Sequence, residues 1–336
     1  MPAAQLCTRI NPLFIYNMYF SMKQILFSLL LLLLVCPSLL AQDAAGWKAL
    51  KGPLTFFIVN DLGRNGYYEQ RPVAELMGRM ADVVGPECVF AAGDVHHFDG
   101  VASTADPLWT TNFELVYAHP ELMIPWHPIL GNHEYRGNTR AVLDYTHVSR
   151  RWEMPARYYT KTYTKKGVSI RFVLLDTTPL ISRYRKEQDQ YPDAAAQDDE
   201  RQLAWVDSVL TAAKEQWVVV IGHHPIYAVT GKDTSERTDL QKRLDPILRR
   251  HHVDLYVAGH IHNFQHHRAQ GSKIDYLVNS SASLARPIHE QPSASRTDGL
   301  QFASPSEGFA VVTATADKLR LAFIGKEGET LWSVER

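Results

Sequence analysis

Five apolar runs in this 336-residue chain each stop just before a side chain that can bind a metal. Residues 56–59 lead into Asp61, 89–92 into Asp94, 129–130 into Asn132, 218–221 into His223, and 255–258 into His260 and His262. Imidazole suits zinc, iron and similar ions, and carboxylate and amide oxygens complete a mixed shell. These six candidates exceed the needs of one tetrahedral ion, so a site for two ions is the economical reading.

The runs also describe the elements that must position these groups. Continuous apolar stretches of this length predict strands buried on both faces, and functional groups gather past the carboxyl ends of such strands. Gly93, Gly131, Gly222 and Gly259 each stand immediately before a candidate ligand. Glycine there permits a sharp turn or a close approach, so that the next side chain can aim at a common point. His260 and His262, two apart, share one face of an extended segment. Around these strands, helices are predicted over 71–84, 139–150, 198–214 and 238–251. Further strands are predicted over 169–176, 274–278, 309–315 and 319–323. The last strands lack intervening helices. Two polar segments, 182–199 and 285–307, are predicted as loops.

At these residues the chain resembles the calcineurin-like metallophosphoesterases, and most closely the small tartrate-resistant (purple) acid phosphatases. The matching text is Asp61-Leu62-Gly63 with Tyr67 and Gln70, then Gly93-Asp94-Val95-His96-His97-Phe98-Asp99-Gly100-Val101. Gly131-Asn132-His133-Glu134 with Gly137-Asn138, Gly222-His223-His224-Pro225 and Gly259-His260-Ile261-His262-Asn263 complete it, and Ser149-Arg150-Arg151-Trp152 is also alike. The similarity runs from about Leu54 to the C-terminus. It implies an α/β fold, a four-layer α/β/β/α sandwich of two mixed sheets. It implies one metal on Asp61 and His262 and another on Asn132, His223 and His260, with Asp94 bridging. His133 corresponds to a histidine that faces substrate and assists the leaving group; as the strand neighbour of Asn132 it is expected to point to the opposite side, placed as a general acid or oxyanion partner rather than a ligand. The implied reaction is phosphomonoester hydrolysis by a metal-bound hydroxide, since two ions about 3.5–4 Å apart acidify a water and clamp the phosphoryl oxygens. A loop placed like 182–199 overhangs the active site in related phosphatases, which implies gating; a mobile surface excursion is the competing reading.

Two departures from the family pattern carry expectations. Where purple acid phosphatases have the tyrosine that binds ferric iron, this chain has His97, with His96 as a competing ligand. An imidazole favours divalent Zn, Fe or Mn over a hard trivalent ion, so a colourless enzyme with two divalent metals is expected. Lys232 falls near a second substrate-facing histidine of the family. It can pair with phosphate as a point charge but is a poor proton donor near neutral pH. His224, beside a ligand, is either a substrate contact or a packing residue.

Composition bounds the rest. A formal net charge of −1 offers nothing for nucleic-acid or membrane-surface binding. Residues 1–41 are predicted as a signal-peptide region. Met22-Lys23 is the expected true start, 25–35 the apolar core, and cleavage is expected near Ala41-Gln42. That core is too short to span a bilayer comfortably. The expected product is a periplasmic or extracellular protein with a single domain over 47–336. It is expected to be a monomer, without stable membrane association, acting on a small-molecule phosphate ester. Only Cys88 survives cleavage, so no internal disulfide is expected, and the thiol reads as packed and inert. No Gly-x-Ser-x-Gly elbow, phosphate-cradling glycine loop or paired Cys-x-x-Cys occurs, which removes serine hydrolase, P-loop and zinc-ribbon readings. The rival functions are a phosphodiesterase or nucleotide-directed esterase on the same scaffold, and a binding module without catalysis.

Overall fold

A computed structural model of the chain describes residues 46–288 and 299–336, together with position 24. By its contacts the chain divides into Met1–Gly46 and Trp47–Arg336. The segment expected to be a signal lies almost entirely outside the described residues, as does the stretch 289–298 of the segment 285–307.

Thirteen strands are described in Trp47–Arg336, and they form two sheets. The first contains β1 (Leu54–Val59), β2 (Val89–Ala91), β3 (Trp126–Pro128), β11 (Gly308–Ala314), β12 (Leu319–Gly325) and β13 (Thr330–Glu335), in the order β13-β12-β11-β1-β2-β3. The second contains β4 (Tyr159–Lys165), β5 (Val168–Leu174), β6 (Trp217–Ile221), β7 (Leu255–Ala258), β8 (Phe264–His267), β9 (Asp275–Val278) and β10 (Leu300–Ser304), in the order β10-β8-β9-β7-β6-β5-β4. Both are mixed. β1, β2 and β3 run parallel, and so do β5, β6, β7 and β9. The flanking strands are antiparallel.

The sheets face each other across an aromatic core. Phe56 and Phe90 of the first meet Phe172 of the second at ring separations of 4.8 and 4.2 Å. Every residue of β1, β2, β7 and β11 is buried, as strands covered on both faces require. One parallel bridge, Asn60 to Ser281, ties the rims of the two sheets together just past the end of β1. The candidate ligands therefore come from the parallel parts of two facing sheets, whose strand ends are bridged at this rim.

Several sequence expectations need correction. β3 ends at Pro128, so Ile129 and Leu130 belong to the turn that carries Asn132. The helix expected over 139–150 is only Thr139–Asp144, followed by a tighter turn Tyr145–His147. The helix expected over 238–251 is two, Thr234–Arg243 and Asp245–Arg250, with Pro246 in the first turn of the second. Proline has no N–H to continue the first helix and is tolerated at a helix start. β4, β8, β10 and β13 were not expected; three of them carry polar or exposed residues that blunt the alternation. β10 lies inside the segment expected to be a loop. Residues 182–199, expected to be a loop, are partly helical and packed against the rest of the protein. They begin with the helix Ser182–Lys186 and bury Tyr184, Tyr191 and Ala194.

Candidate metal centre

Asp61 and Asp94 stand just past β1 and β2, both fully enclosed. His223 follows β6; His260 and His262 follow β7. Asp61, Asp94, His260 and His262 all have positive φ, between 51 and 72°. Residues with a Cβ rarely adopt that region, and clusters of them mark functional sites. Two glycines make the approach possible. A Cβ on Gly131 would lie 2.2 Å from Asp94 Oδ1, and one on Gly93 (φ 87°) would lie 2.5 Å from His223 Nδ1.

The side chains converge. His223 Nε2 is 3.1 Å from Asp94 Oδ2, and His262 Nε2 is 3.1 Å from Asp61 Oδ1. His97 Nε2 and His133 Nε2 stand 3.7 and 3.8 Å from the same Asp94 Oδ2. Donor atoms of Asp61, His97 and His262 lie within 4.8 Å of one another, and so do those of Asp61, Asp94 and His223. A test of whether these residues suit metal ions comes from their unpartnered atoms. Asp61 Oδ1, Asn132 Oδ1, His97 Nε2 and His223 Nε2 are all buried without a hydrogen-bond partner. Buried polar atoms normally find partners. Four such atoms, all of types that ligate divalent ions and two of them facing only another candidate ligand at 3.1 Å, fit a metal centre.

Each imidazole is held from behind, which selects the nitrogen facing the site. His97 Nδ1 donates to the Gly63 carbonyl (3.1 Å), His223 Nδ1 to Ala92 (2.9 Å) and His262 Nδ1 to Leu284 (2.7 Å). All three therefore offer Nε2. His260 is reversed: its Nε2 meets Glu236 Oε2 at 2.9 Å, which makes Nδ1, 3.3 Å from Lys232 Nζ, the nitrogen that would ligate. Between His96 and His97 the geometry differs. His96 turns away, packing on Trp109 and pairing with Asn112, while His97 enters the cluster.

The electrostatics follow from this crowding. Burial opposes the charge on Asp94, but His223 and His133 hold it well below the ordinary carboxylate range. Burial would push His223 down, yet Asp94 and then Asp61 carry it up to about 9. Burial, then the Lys232 ammonium, push His260 down to about 4. Neutral imidazoles and ionised carboxylates are the forms that bind cations, so an ion beside Asp94 and Asp61 would have to displace the proton that these carboxylates hold on His223.

His133 does not lie on a strand, contrary to the alternation that would set it opposite Asn132. It adopts a helical turn (φ −73°, ψ −35°) and shares the Asp94 side of the cluster. Its Nδ1 donates to the Phe98 carbonyl at 2.5 Å, leaving Nε2 facing the site. Phe98 itself is 64 % exposed, with the Arg64 guanidinium 4.8 Å from its ring. Lys232 Nζ donates to the His260 carbonyl at 2.7 Å and stands 3.3 and 3.1 Å from its two ring nitrogens. Of the two roles open for His224, the geometry supports packing, although its ring lies in one cluster with His223 and His260. His224 is wholly buried, with Nδ1 2.8 Å from Thr177 Oγ1 and Nε2 3.1 Å from the Tyr184 hydroxyl. With both nitrogens occupied it is a strut behind the site, not a substrate contact.

Two carboxylates escaped sequence reasoning. Glu134 accepts the backbone N–H groups of Asp94 (2.9 Å), Gly131 (2.7 Å) and His96 (3.1 Å), locking the β2 and β3 turns together. Burial, then Asp94, push it up to about 7. Its place directly after Asn132-His133 was the available signal. Glu236, thirteen residues beyond His223 on another element, gave none.

Comparison with known proteins agrees with this geometry. A model of the calcineurin-like phosphoesterases matches residues 54–264. Tartrate-resistant acid phosphatase type 5 of Sus scrofa is 28% identical over 274 residues, covering 78% of this chain and 79% of its own. Purple acid phosphatase 4 of Arabidopsis thaliana is 29% identical over 312 residues, covering 90% and 89%. Among solved structures, GAP50, the anchor in the inner membrane complex of Plasmodium, superposes with a TM-score of 0.69 at 21% identity, covering 84% of this chain and 88% of its own. That last likeness is one of fold.

Proposed function

The chain belongs to the calcineurin-like phosphoesterase family, and from that premise we propose that it is an exported phosphomonoesterase working with two divalent ions. It is a metal-dependent phosphoric ester hydrolase. Asp61, His97 and His262 would hold one ion, Asn132, His223 and His260 the other, with Asp94 shared. The observation that carries this reading is the convergence of buried donor atoms that lack a hydrogen bond, Asp61 Oδ1, Asn132 Oδ1, His97 Nε2 and His223 Nε2, with Asp61 Oδ1 and His223 Nε2 facing other candidate ligands, His262 and Asp94, at 3.1 Å.

Two such ions, when bound, acidify a coordinated water and neutralise phosphoryl oxygens. The remaining work falls to the protein. The carbonyls behind His97, His223 and His262 fix the ring tautomers. His133, anchored by Nδ1 to Phe98, holds Nε2 toward the Asp94 side, where its imidazolium form, which burial disfavours and Asp94 favours, can pass the Nε2 proton to the departing alkoxide. Lys232, at the His260 edge, places a positive charge for the phosphate. Replacement of the family's tyrosine by His97 supports divalent ions in both positions and a colourless protein.

The test compares p-nitrophenyl phosphate with its bis ester on protein of measured metal content. Faster cleavage of the monoester is expected. Faster cleavage of the bis ester would move the reading to a phosphodiesterase, and no cleavage of either across acid to alkaline pH would leave a binding module. Export rests on the apolar run 25–35 behind Met22-Lys23. N-terminal sequencing of secreted protein should find a start near Gln42.

A further inference from the structure

Of the four imidazoles proposed to hold metal, three lean on backbone carbonyls and one on a carboxylate. His260 Nε2 donates to Glu236 Oε2 at 2.9 Å, and both side chains are almost wholly buried. The other oxygen, Glu236 Oε1, accepts from the Tyr184 hydroxyl at 2.7 Å and from Arg183 at 3.3 Å. Tyr184 also meets His224 Nε2, and His224 Nδ1 meets Thr177. The chain of contacts Thr177–His224–Tyr184–Glu236–His260 therefore runs from the end of β5 to one metal position, through the segment 182–199.

We infer that Glu236 is a positioning residue for the second metal position, the one assigned to Asn132, His223 and His260. This rests on the two-ion reading above. The physical need for it is specific to that position. The first position has a carboxylate of its own, Asp61, besides the shared Asp94. The second has a neutral amide and two imidazoles, and the Lys232 ammonium stands beside one of them. A cation placed there meets less negative charge. A carboxylate on the far nitrogen of His260 offsets this in two ways. It fixes the tautomer with Nδ1 unprotonated, and it makes Nδ1 a stronger donor. Tyr184 and Arg183 hold Glu236 in place, so the packed segment supports a ligand that it never touches.

The experiment is a calorimetric titration of zinc into the full chain stripped of metal, for wild type, Glu236→Ala, Glu236→Gln and Tyr184→Phe, with melting temperature measured alongside. Wild type should take up two ions. In Glu236→Ala one binding step should weaken by about 10- to 100-fold while the other stays within about twofold. Glu236→Gln keeps an acceptor but no charge and should fall between, and Tyr184→Phe should show a smaller shift in the same step. Activity should return to the wild-type kcat at high zinc, with the half-saturating concentration raised. Two unchanged steps, or equal weakening of both, would overturn the inference. Should Glu236→Ala not fold, the near-isosteric Glu236→Gln decides by the same criterion. Uptake of a single ion by wild type would instead refute the two-ion reading itself.

Discussion

His133 contacts Asp94 through both its backbone and its ring. The backbone N–H donates to Asp94 Oδ1 at 2.9 Å, while Nε2 stands 3.8 Å from Asp94 Oδ2. The residue that would pass the proton is thereby registered to the residue that would bridge the ions. The two roles can still be separated by mutation.

Asp94→Asn removes the only carboxylate common to both positions. Metal content by elemental analysis should fall from two ions per chain toward none, and turnover should be lost with it. Retention of both ions would show that Asp94 does not bridge.

His133→Ala keeps every proposed ligand. Metal content should match wild type, while kcat falls by roughly 10²–10⁴, the span of general acid–base catalysis. The loss should be least for esters whose leaving group needs no proton. Normal hydrolysis of a poor-leaving-group ester would end this assignment.

His97→Tyr restores the phenolate of the coloured relatives at the position where Nε2 lies 3.7 Å from Asp94 Oδ2. Loaded with ferric iron, the variant should show a strong visible charge-transfer band that wild type lacks. The lost bond to the Gly63 carbonyl should cost about 1 kcal/mol of stability. A band in wild type would overturn the divalent reading.

Asp176 provides a pH prediction away from the ions. It lies two residues past β5, accepts from the Tyr135 hydroxyl at 2.5 Å, and is pushed by burial up to about 7, against Arg157. A carboxyl whose folded value lies above its unfolded one binds extra protons in the folded state. Its contribution is therefore complete below about pH 4 and is lost as pH rises toward 7, by up to about 4 kcal/mol. Denaturant unfolding of Asp176→Asn should show a flatter stability profile than wild type over that window. Identical slopes would show that Asp176 is ionised throughout the folded state.

The legible part of the site was its first layer. Asp61, Asp94, Asn132, His223, His260 and His262 were readable because each ends an apolar run and most follow a glycine. A buried strand and a tight turn leave a local trace. His133 was found for its neighbourhood and given a strand geometry that it lacks, because β3 stops at Pro128. Glu236 was missed altogether. It meets His260 across 24 positions of chain, from a helix whose composition is that of any solvated surface.

What the amino-acid order alone determined was therefore the donor set: which atoms could bind a cation, and that strand ends would carry them. That information is local, since periodicity and glycine placement act over a few residues. Only the tertiary structure decided how the donors are shared and oriented. The bridge from Asn60 to Ser281 joins two sheets at one rim, and carbonyls or a carboxylate from distant elements choose which nitrogen each histidine offers. Ring orientation is set by a partner behind the ring. That partner is chosen by folding, through contacts that no run of neighbouring residues encodes.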